Sequence, residues 1–225
     1  MLRSAWPAAE VEERPADPAA QPYVRSYVFM RFAIGVLGVL LPPLLVLLEP
    51  LLFGGQPFPR GSLSAYYYSG VRELFVGLLC SIGVFLVIYK VVDRTREARV
   101  STYAGIAAIV VALFPTGKPG AGVPSTPLQV LLGERTVESI HFAAATVFIL
   151  LLALMSYYFG KHRPAERTLH YTCAAAILLA LALAGLTGLT GEPGRGILVA
   201  EWAAVWAFAL SWLRTVELEL IFGRS

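Results

Sequence analysis

The chain has 225 residues, of which 57% are hydrophobic and only 15% are charged. This balance leaves too little polar surface to cover a water-soluble domain of that length, so a soluble globular protein is excluded. The net charge of +3 is not accompanied by a basic patch that alternates with stacking aromatic residues, which argues against nucleic-acid binding.

Six apolar segments along the chain are long enough, or nearly so, to cross a bilayer as helices. A hydrocarbon core of about 30 Å requires about 20 apolar residues per helical pass, and no alternating β-barrel pattern is visible in the sequence. We therefore predict an all-α fold, a polytopic membrane protein built as a bundle of six transmembrane helices. The predicted helices cover roughly residues 27–49, 71–92, 100–116, 137–160, 171–190 and 197–213.

The two ends of the chain lie outside these helices. Residues 1–24 are rich in Ala, Pro and Glu and contain no apolar core of the kind found in a signal peptide, so we expect a disordered cytoplasmic tail. Residues 217–225 are expected to form a second cytoplasmic tail. The transmembrane domain is then residues 25–216.

Thirteen of the eighteen Lys and Arg residues fall on one side of this topology. Short loops rich in Lys and Arg stay in the cytoplasm, so both termini and residues 93–99 are predicted to be cytoplasmic and residues 115–136 external. The lipid bilayer is the expected surrounding, and the protein is predicted to be a multi-pass component of the cell (plasma) membrane. The thirteen are Arg3, Arg14, Arg25, Arg31, Lys90, Arg94, Arg96, Arg99, Lys161, Arg163, Arg167, Arg214 and Arg224; the other five are Arg60, Arg72, Lys118, Arg135 and Arg195.

Local signals mark a proline pair in the first predicted helix and a short helix in the external loop. Pro42 and Pro43 are expected to kink the first predicted helix or to end its regular part, because proline removes backbone donors. In the external loop, Ser125 or Thr126 can cap a short helix from Pro127 to Leu132 that stops at Gly133.

The fifth predicted helix carries small residues. Gly185 and Gly188 should permit close contact with a neighbouring helix in lipid, where packing replaces the hydrophobic driving force.

A glutamate stands close to the beginning of each predicted helix that runs inward from the outer face. These residues are Glu73, Glu138 and Glu201, and their similar spacing suggests three successive hairpins of similar size. We therefore expect the three carboxylates to converge just under the outer surface. A simpler interpretation is that each glutamate stabilises the N-terminus of its own helix.

Arg72 and His141 fall at the same depth as the three glutamates. Ionisable groups within a span cost free energy unless they are paired, and so mark a functional site by default. We expect Arg72 to bridge across helices to Glu138 or Glu201 rather than simply to pair with Glu73, because its planar fork can hold two carboxylates. The alternative is that Arg72 extends to headgroup phosphates.

Two further candidates precede the second predicted helix. Ser64 could serve as a nucleophile or a helix cap. Tyr67 belongs to a run of three tyrosines that is typical of an interfacial aromatic belt and could also contribute to a binding site.

Glu138 and His141 form an E-x-x-H pair, which can present two ligands to one metal on a helical face. Bundle metal sites use two such pairs and this chain has one, so these residues are only weak metal candidates and no metal or other cofactor is expected. His162 and His170 are predicted to lie on the cytoplasmic side, away from this depth.

Three stretches of the sequence resemble a family of uncharacterised six-helix bacterial integral membrane proteins. Its members share an S-x-S-A-Y-Y stretch, an Arg–acid pair before F-V-G, an ALFPT segment and a Glu before the last helix. The resemblance covers most of residues 60–213 and implies a six-helix bundle of a bacterial inner membrane, but no established activity. The stretches are SLSAYYYSGVRELFVG at 62–77, ESIHFAAA at 138–145 and EWAAVWAFALSW at 201–212.

A weaker likeness is to the transmembrane hydrolase superfamily of alkaline ceramidases and progestin/adipoQ-type receptors. Those proteins use a Ser, an Asp and several histidines around zinc. This chain has no H-x-x-x-H motif and only one suitably placed histidine, His141, which argues against zinc amide hydrolysis.

Taken together, the residues favour a membrane protein that is non-enzymatic or has no assigned activity, with an outward-facing polar pocket. Such a pocket would bind a small molecule or a lipid headgroup, or pass a proton or an ion. The alternatives are an intramembrane hydrolase that uses His141 and a carboxylate, and a purely structural bundle. The sequence leaves the ligand and the oligomeric state open. The candidate pocket residues are Ser64, Tyr67, Arg72, Glu73, Glu138, His141 and Glu201.

Overall fold

The computed structural model of the protein describes residues 21–54, 59–89, 95–190 and 195–216. All regular elements in these ranges are helical, so the all-α class is confirmed for this part of the chain. The elements are α1 (Gln21–Phe53), a 3₁₀ segment (Ser64–Tyr68), α2 (Arg72–Ile88), α3 (Arg96–Leu113), α4 (Pro127–Leu132), α5 (Glu134–His162), a 3₁₀ segment (Pro164–Glu166), α6 (Arg167–Thr190) and α7 (Gly196–Leu213).

Four of the described helices, α1, α5, α6 and α7, are long and apolar enough to cross a membrane. The remaining long helices, α2 and α3, differ for local reasons. α2 has only 17 residues, and α3 carries Arg96, Glu97 and Arg99 in its first turn.

The six long helices form a closed ring in chain order. α1 packs against α2, α2 against α3, α3 against α5, α5 against α6 and α6 against α7, and α7 returns to α1. A smaller contact between α5 and α7 crosses the ring. The core lies inside the ring, where apolar side chains such as Leu45, Leu86 and Ile177 are fully buried.

The ring has two ends, which we name after one residue each. The Glu201 end holds the beginnings of α2, α5 and α7 and the ends of α1, α3 and α6. The Trp212 end holds the beginnings of α1, α3 and α6 and the ends of α2, α5 and α7. Neighbouring helices therefore run antiparallel around the ring.

The first helix departs most from its expected bounds. α1 begins at Gln21 and runs to Phe53, so it is longer than residues 27–49, and it continues through Pro42 and Pro43 as one helix. A membrane-spanning helix can contain such prolines because neighbouring helices and side chains satisfy the backbone groups that the prolines leave unpaired. The expectations for residues 1–20, 90–94 and 217–225 lie outside the described residues.

The short helix predicted from Pro127 to Leu132 is confirmed as α4. Thr126 and Gln129 form a capping box, in which the Gln129 amide donates to the Thr126 hydroxyl at 3.3 Å and the Thr126 amide donates to the Gln129 side chain at 2.9 Å. The helix stops at Gly133, whose φ of +86° lies in the left-handed region that glycine adopts without strain.

Close helix packing occurs at Gly83 and Gly105, where α2 crosses α3. A Cβ atom added to Gly83 would lie 2.8 Å from the Gly105 carbonyl oxygen, and one added to Gly105 would meet the Gly83 carbonyl oxygen. Only glycine fits such a crossing. The contact predicted at Gly185 and Gly188 is wrong, since a Cβ added to either residue has no neighbouring atom within 4 Å.

The Trp212 end is closed by aromatic rings around Arg31. The Arg31 guanidinium lies 5.7 Å from the ring centroids of Tyr27 and Tyr89 and 5.9 Å from that of Trp212. Arg31 also donates to the Thr215 hydroxyl at 2.5 Å, and the indole of Trp212 donates to the Arg31 carbonyl oxygen at 2.6 Å. These contacts join the first part of α1 to the end of α7.

Candidate functional site

The predicted pocket residues are divided among three places near the Glu201 end. One is an enclosed cavity inside the ring, the second is an open groove on the surface, and the third is a contact with the segment after α3. The cavity is lined by Ser64 and Glu201, the groove by Tyr67, Arg72 and Glu73, and the third contact involves Glu138 and His141.

Glu201 accepts hydrogen bonds from a different part of the chain. It lies more than one turn after the beginning of α7, so it does not cap its own helix. The Leu63 amide donates to its Oε2 atom at 2.5 Å, and the amide and hydroxyl of Ser64 interact with the same carboxylate. We call residues 60–68 the plug. Its donors hold the Glu201 carboxylate against the inner edge of this segment.

The plug covers the Glu201 end of the ring. Leu63, Ser64 and Tyr66 are buried, and the Gly61 carbonyl oxygen accepts a hydrogen bond from the Leu198 amide at 2.9 Å. That amide belongs to the first turn of α7, where amides have no partner within the helix. The plug is therefore bonded to α7 through its backbone and through Glu201.

An ion pair between partly exposed Arg60 and buried Glu49 anchors the beginning of the plug to α1. The Arg60 Nε atom donates to the two carboxylate oxygens of Glu49 at 2.9 and 3.1 Å, and Arg60 Nη2 donates to Oε1 at 2.5 Å. Glu49 is only 3% exposed. Neither residue was among the sequence candidates, although an isolated glutamate near the end of an apolar helix is a signal that could have identified Glu49.

The enclosed cavity lies beneath the plug and has a volume of about 90 Å³. Its walls come from α1, α2, α3, α5 and α7, with apolar side chains such as Phe75, Leu79 and Phe208. Ser64 and Glu201 are the polar residues of its lining. The cavity is thus apolar with one polar corner, in contrast to the polar pocket expected from the sequence.

A second cavity, a crevice between α5, α6 and α7, has a volume of about 370 Å³. Gly185 and Gly188 line it, so their missing side chains leave space rather than permit contact. Phe142 and Leu189 also line it and are 53% and 87% exposed, so the crevice reaches the outer surface of the ring. Three residues line both the crevice and the enclosed cavity, namely Ala145, Ile149 and Glu201.

His141 bonds to the end of α3. It is 1% exposed, and its Nδ1 atom lies 2.6 Å from the Phe114 carbonyl oxygen, with the Val111 carbonyl as a second neighbour. The helical partner of the Val111 carbonyl would be the amide of residue 115, which is proline and has no N–H. His141 therefore hydrogen-bonds to carbonyls that have no amide partner at this helix end.

Glu138 and Tyr68 hold the segment that follows α3. The Glu138 carboxylate packs against the backbone of Gly117, where an added Cβ would clash with it. The Tyr68 hydroxyl donates to the Thr116 carbonyl oxygen at 2.8 Å and accepts from the Gln129 side chain at 2.9 Å. Burial raises the pKa of Tyr68, against the opposing hydrogen bond from Gln129, so the phenol stays protonated at neutral pH.

The expectation that Arg72 bridges to Glu138 or Glu201 is wrong. Arg72 pairs with Glu73 at 2.9 Å, and the two side chains are 51% and 76% exposed. The guanidinium also lies over the Tyr67 ring, 5.9 Å from its centroid. The pair lies on an open groove of about 890 Å³. Glu73 stands in the first turn of α2, as the simpler interpretation of the glutamates requires.

A polar cluster at the Trp212 end was not anticipated. His170 is fully buried, and its Nδ1 atom lies 2.9 Å from the Ser211 hydroxyl. Its Nε2 atom lies 3.5 Å from Glu166, which also pairs with Arg214 at 2.5 Å. The spacing of four residues between Glu166 and His170 is visible in the sequence, but the partner Ser211 comes from α7.

Within the described residues, no group of three or more His, Cys, Asp or Glu side chains is placed to hold a metal ion. Comparisons of the chain with protein families, with curated proteins and with solved structures find no match. The function proposed below therefore depends on the geometry of the site.

Proposed function

We propose that this chain is a six-span membrane protein that binds an amphiphile from the bilayer. In this proposal Glu201 makes the polar contact and the crevice between α5, α6 and α7 holds the apolar chain. The observation that carries the proposal is the position of Glu201, a carboxylate that lines both apolar cavities. A charged group in such surroundings costs several kcal/mol and is typical of a functional site.

The shape of the ring favours a ligand that comes from lipid. The plug lines the enclosed cavity at the Glu201 end of the ring, and the Arg31 aromatic cluster lies at the Trp212 end. The crevice reaches the lipid-facing surface, and its volume of about 370 Å³ is more than twice that of an engineered cavity of about 150 Å³ that binds benzene. An alkyl chain of moderate length fits this space.

The proposed topology has six spans with both termini in the cytoplasm. α2 and α3 count as spans because they close the ring between α1 and α5. Eight described Lys and Arg residues lie at the Trp212 end and five at the Glu201 end, which favours a cytoplasmic Trp212 end. The bacterial inner membrane is proposed on the family resemblance alone.

The hydrolase alternative that uses His141 is not part of this proposal. Its described polar neighbours are backbone carbonyls of the α3 end, and hydrolysis would need a nucleophile or an activated water in that position.

Photolabelling in lipid nanodiscs tests the proposed site. A neutral alkyl alcohol that carries a diazirine on its chain should label α5, α6 and α7 residues of the crevice, such as Thr146 and Ala184, identified by mass spectrometry. Gly188→Leu should reduce this labelling several-fold because its side chain fills the crevice. The matched control is Gly77→Leu on α2, where an added Cβ also has no neighbour within 4 Å.

Labelling that is spread over the lipid-facing leucines of α6 and unaffected by Gly188→Leu would contradict the proposal. A result confined to the crevice and lost in Gly188→Leu, but retained in Gly77→Leu, would support it.

A further inference from the structure

The charge of Glu201 is not balanced within the described part of the chain. Its neighbours there are the amide of Leu63 and the amide and hydroxyl of Ser64, all neutral donors. The described ion pairs of the Glu201 end use other carboxylates. These pairs are Arg60 with Glu49, Arg72 with Glu73 and Lys118 with Glu134.

Glu201 retains capacity for one more donor. An ionised carboxylate has about four acceptor positions, and the plug supplies three donors. Glu201 is partly exposed and has mostly apolar surroundings. A carboxylate in such surroundings is costly without a cation, whereas a charge-assisted hydrogen bond from an ammonium group is among the stronger polar contacts. The unfilled position therefore matches a positively charged donor better than a neutral one.

The space around the carboxylate limits the shape of that donor. The enclosed cavity of about 90 Å³ is smaller than the cavity of about 150 Å³ that admits benzene, so a bulky headgroup does not fit inside the ring. Ala145, a small side chain, lines both cavities, as Glu201 does. A slender terminal group on a single alkyl chain fits this arrangement.

We infer that the ligand of this site is a single-chain cationic amphiphile, whose protonated amine pairs with Glu201 while its chain occupies the crevice between α5, α6 and α7. This inference rests on the proposed function, because it names the class of ligand for the same site. The plug donors orient the carboxylate, and the amine supplies the missing charge.

Competition against the neutral diazirine alcohol tests the class of ligand separately from the site. The competitors are dodecylamine, dodecanol and dodecanoate, which share a chain and differ in charge. The measurements use mildly alkaline buffer, in which both the alkylammonium and a carboxylate are charged. We expect dodecylamine to displace the probe at concentrations about tenfold lower than dodecanol, because one charge-assisted hydrogen bond strengthens binding by about this factor. Dodecanoate should be the weakest competitor.

Two variants assign the preference to Glu201. Glu201→Gln should remove the advantage of dodecylamine and leave competition by dodecanol unchanged, while Glu201→Asp should keep part of the advantage. Retained labelling by the neutral probe shows that each variant is folded. If Glu201→Gln is not folded, the three competitors are compared on the unmodified chain and on Glu201→Asp. That comparison still shows whether the preference for the amine depends on Glu201.

Each outcome has one meaning. Equal competition by the amine and the alcohol would overturn the cationic class while leaving the crevice as a binding site. A preference for the amine that persists in Glu201→Gln would overturn the role of Glu201. Absence of probe labelling in the crevice of the unmodified chain would overturn the proposed function itself.

Discussion

Two Arg–Glu pairs at the Glu201 end show how strongly solvent exposure determines the contribution of an ion pair to stability. Arg60 and Glu49 are largely buried and joined by two hydrogen-bonding nitrogens, whereas Arg72 and Glu73 are exposed neighbours on one helix. Loss of one partner leaves an uncompensated charge in the first case and a hydrated charge in the second.

Glu49→Gln is therefore expected to lower the free energy of unfolding by about 3–5 kcal/mol, because it leaves the Arg60 guanidinium without its charge partner. Arg72→Gln, the matched control, should cost less than about 1 kcal/mol. The double variant Glu49→Gln with Arg60→Gln should cost less than the sum of the single changes. Equilibrium unfolding in detergent micelles measures the cost of Glu49→Gln, of Arg60→Gln, of the double variant and of Arg72→Gln. Equal costs for Glu49→Gln and Arg72→Gln would show that the buried pair does not anchor the plug.

At the scale of the elements, some features follow from sequence because their causes are local. α4 is an example, since Thr126, Pro127 and Gly133 cap, begin and end it within a few residues. The contact between His141 and the end of α3 is not local, because its partner Phe114 lies 27 residues earlier in the chain. Pro115 is the one sequence signal of that contact, as it leaves a carbonyl without a donor.

Glycines illustrate the same limit of the sequence, because their roles differ between the α2–α3 crossing and α6. Sequence shows that a helix contains small residues but does not show which face meets a neighbour. Gly83 and Gly105 permit a close crossing, whereas Gly185 and Gly188 leave the crevice open. The candidate pocket residues lie in three places for a related reason: the spacing of Glu73, Glu138 and Glu201 in the sequence does not show in which direction around the ring each side chain points.

Gly105→Ala is expected to destabilise the protein by about 1–3 kcal/mol, in the range of overpacked sites. An added Cβ would meet the backbone of α2, including the Val87 nitrogen at 2.9 Å, and backbone atoms cannot move as a flexible side chain can. Gly77→Ala on α2 is the control and should be neutral or stabilising by up to about 1 kcal/mol. Thermal unfolding in the same detergent compares them. A neutral result for Gly105→Ala would mean that α2 and α3 do not cross at these glycines.

For the whole molecule, the closed ring explains why polar groups are concentrated at its two ends. Each long helix contacts two neighbours in the ring, so its inward face needs apolar side chains over most of its length. Polar networks then remain at the ends, around Glu49, Arg60 and Glu201 on one side and around Arg31 and His170 on the other. Most of the described basic residues lie at the Trp212 end, and we therefore predict that this end faces the cytoplasm.

Cysteine labelling tests this orientation with two exposed alanines. Ala121 belongs to the loop before α4 and Ala165 to the 3₁₀ segment before α6, so they lie at opposite ends of the ring. Ala121→Cys and Ala165→Cys are introduced separately after both native cysteines, Cys80 and Cys173, are replaced by alanine. An impermeant maleimide should label only the Ala121→Cys variant in intact cells and both variants after permeabilisation, because short loops rich in Lys and Arg stay in the cytoplasm. Labelling of the Ala165→Cys variant in intact cells would reverse the orientation and place the plug and Glu201 on the cytoplasmic side.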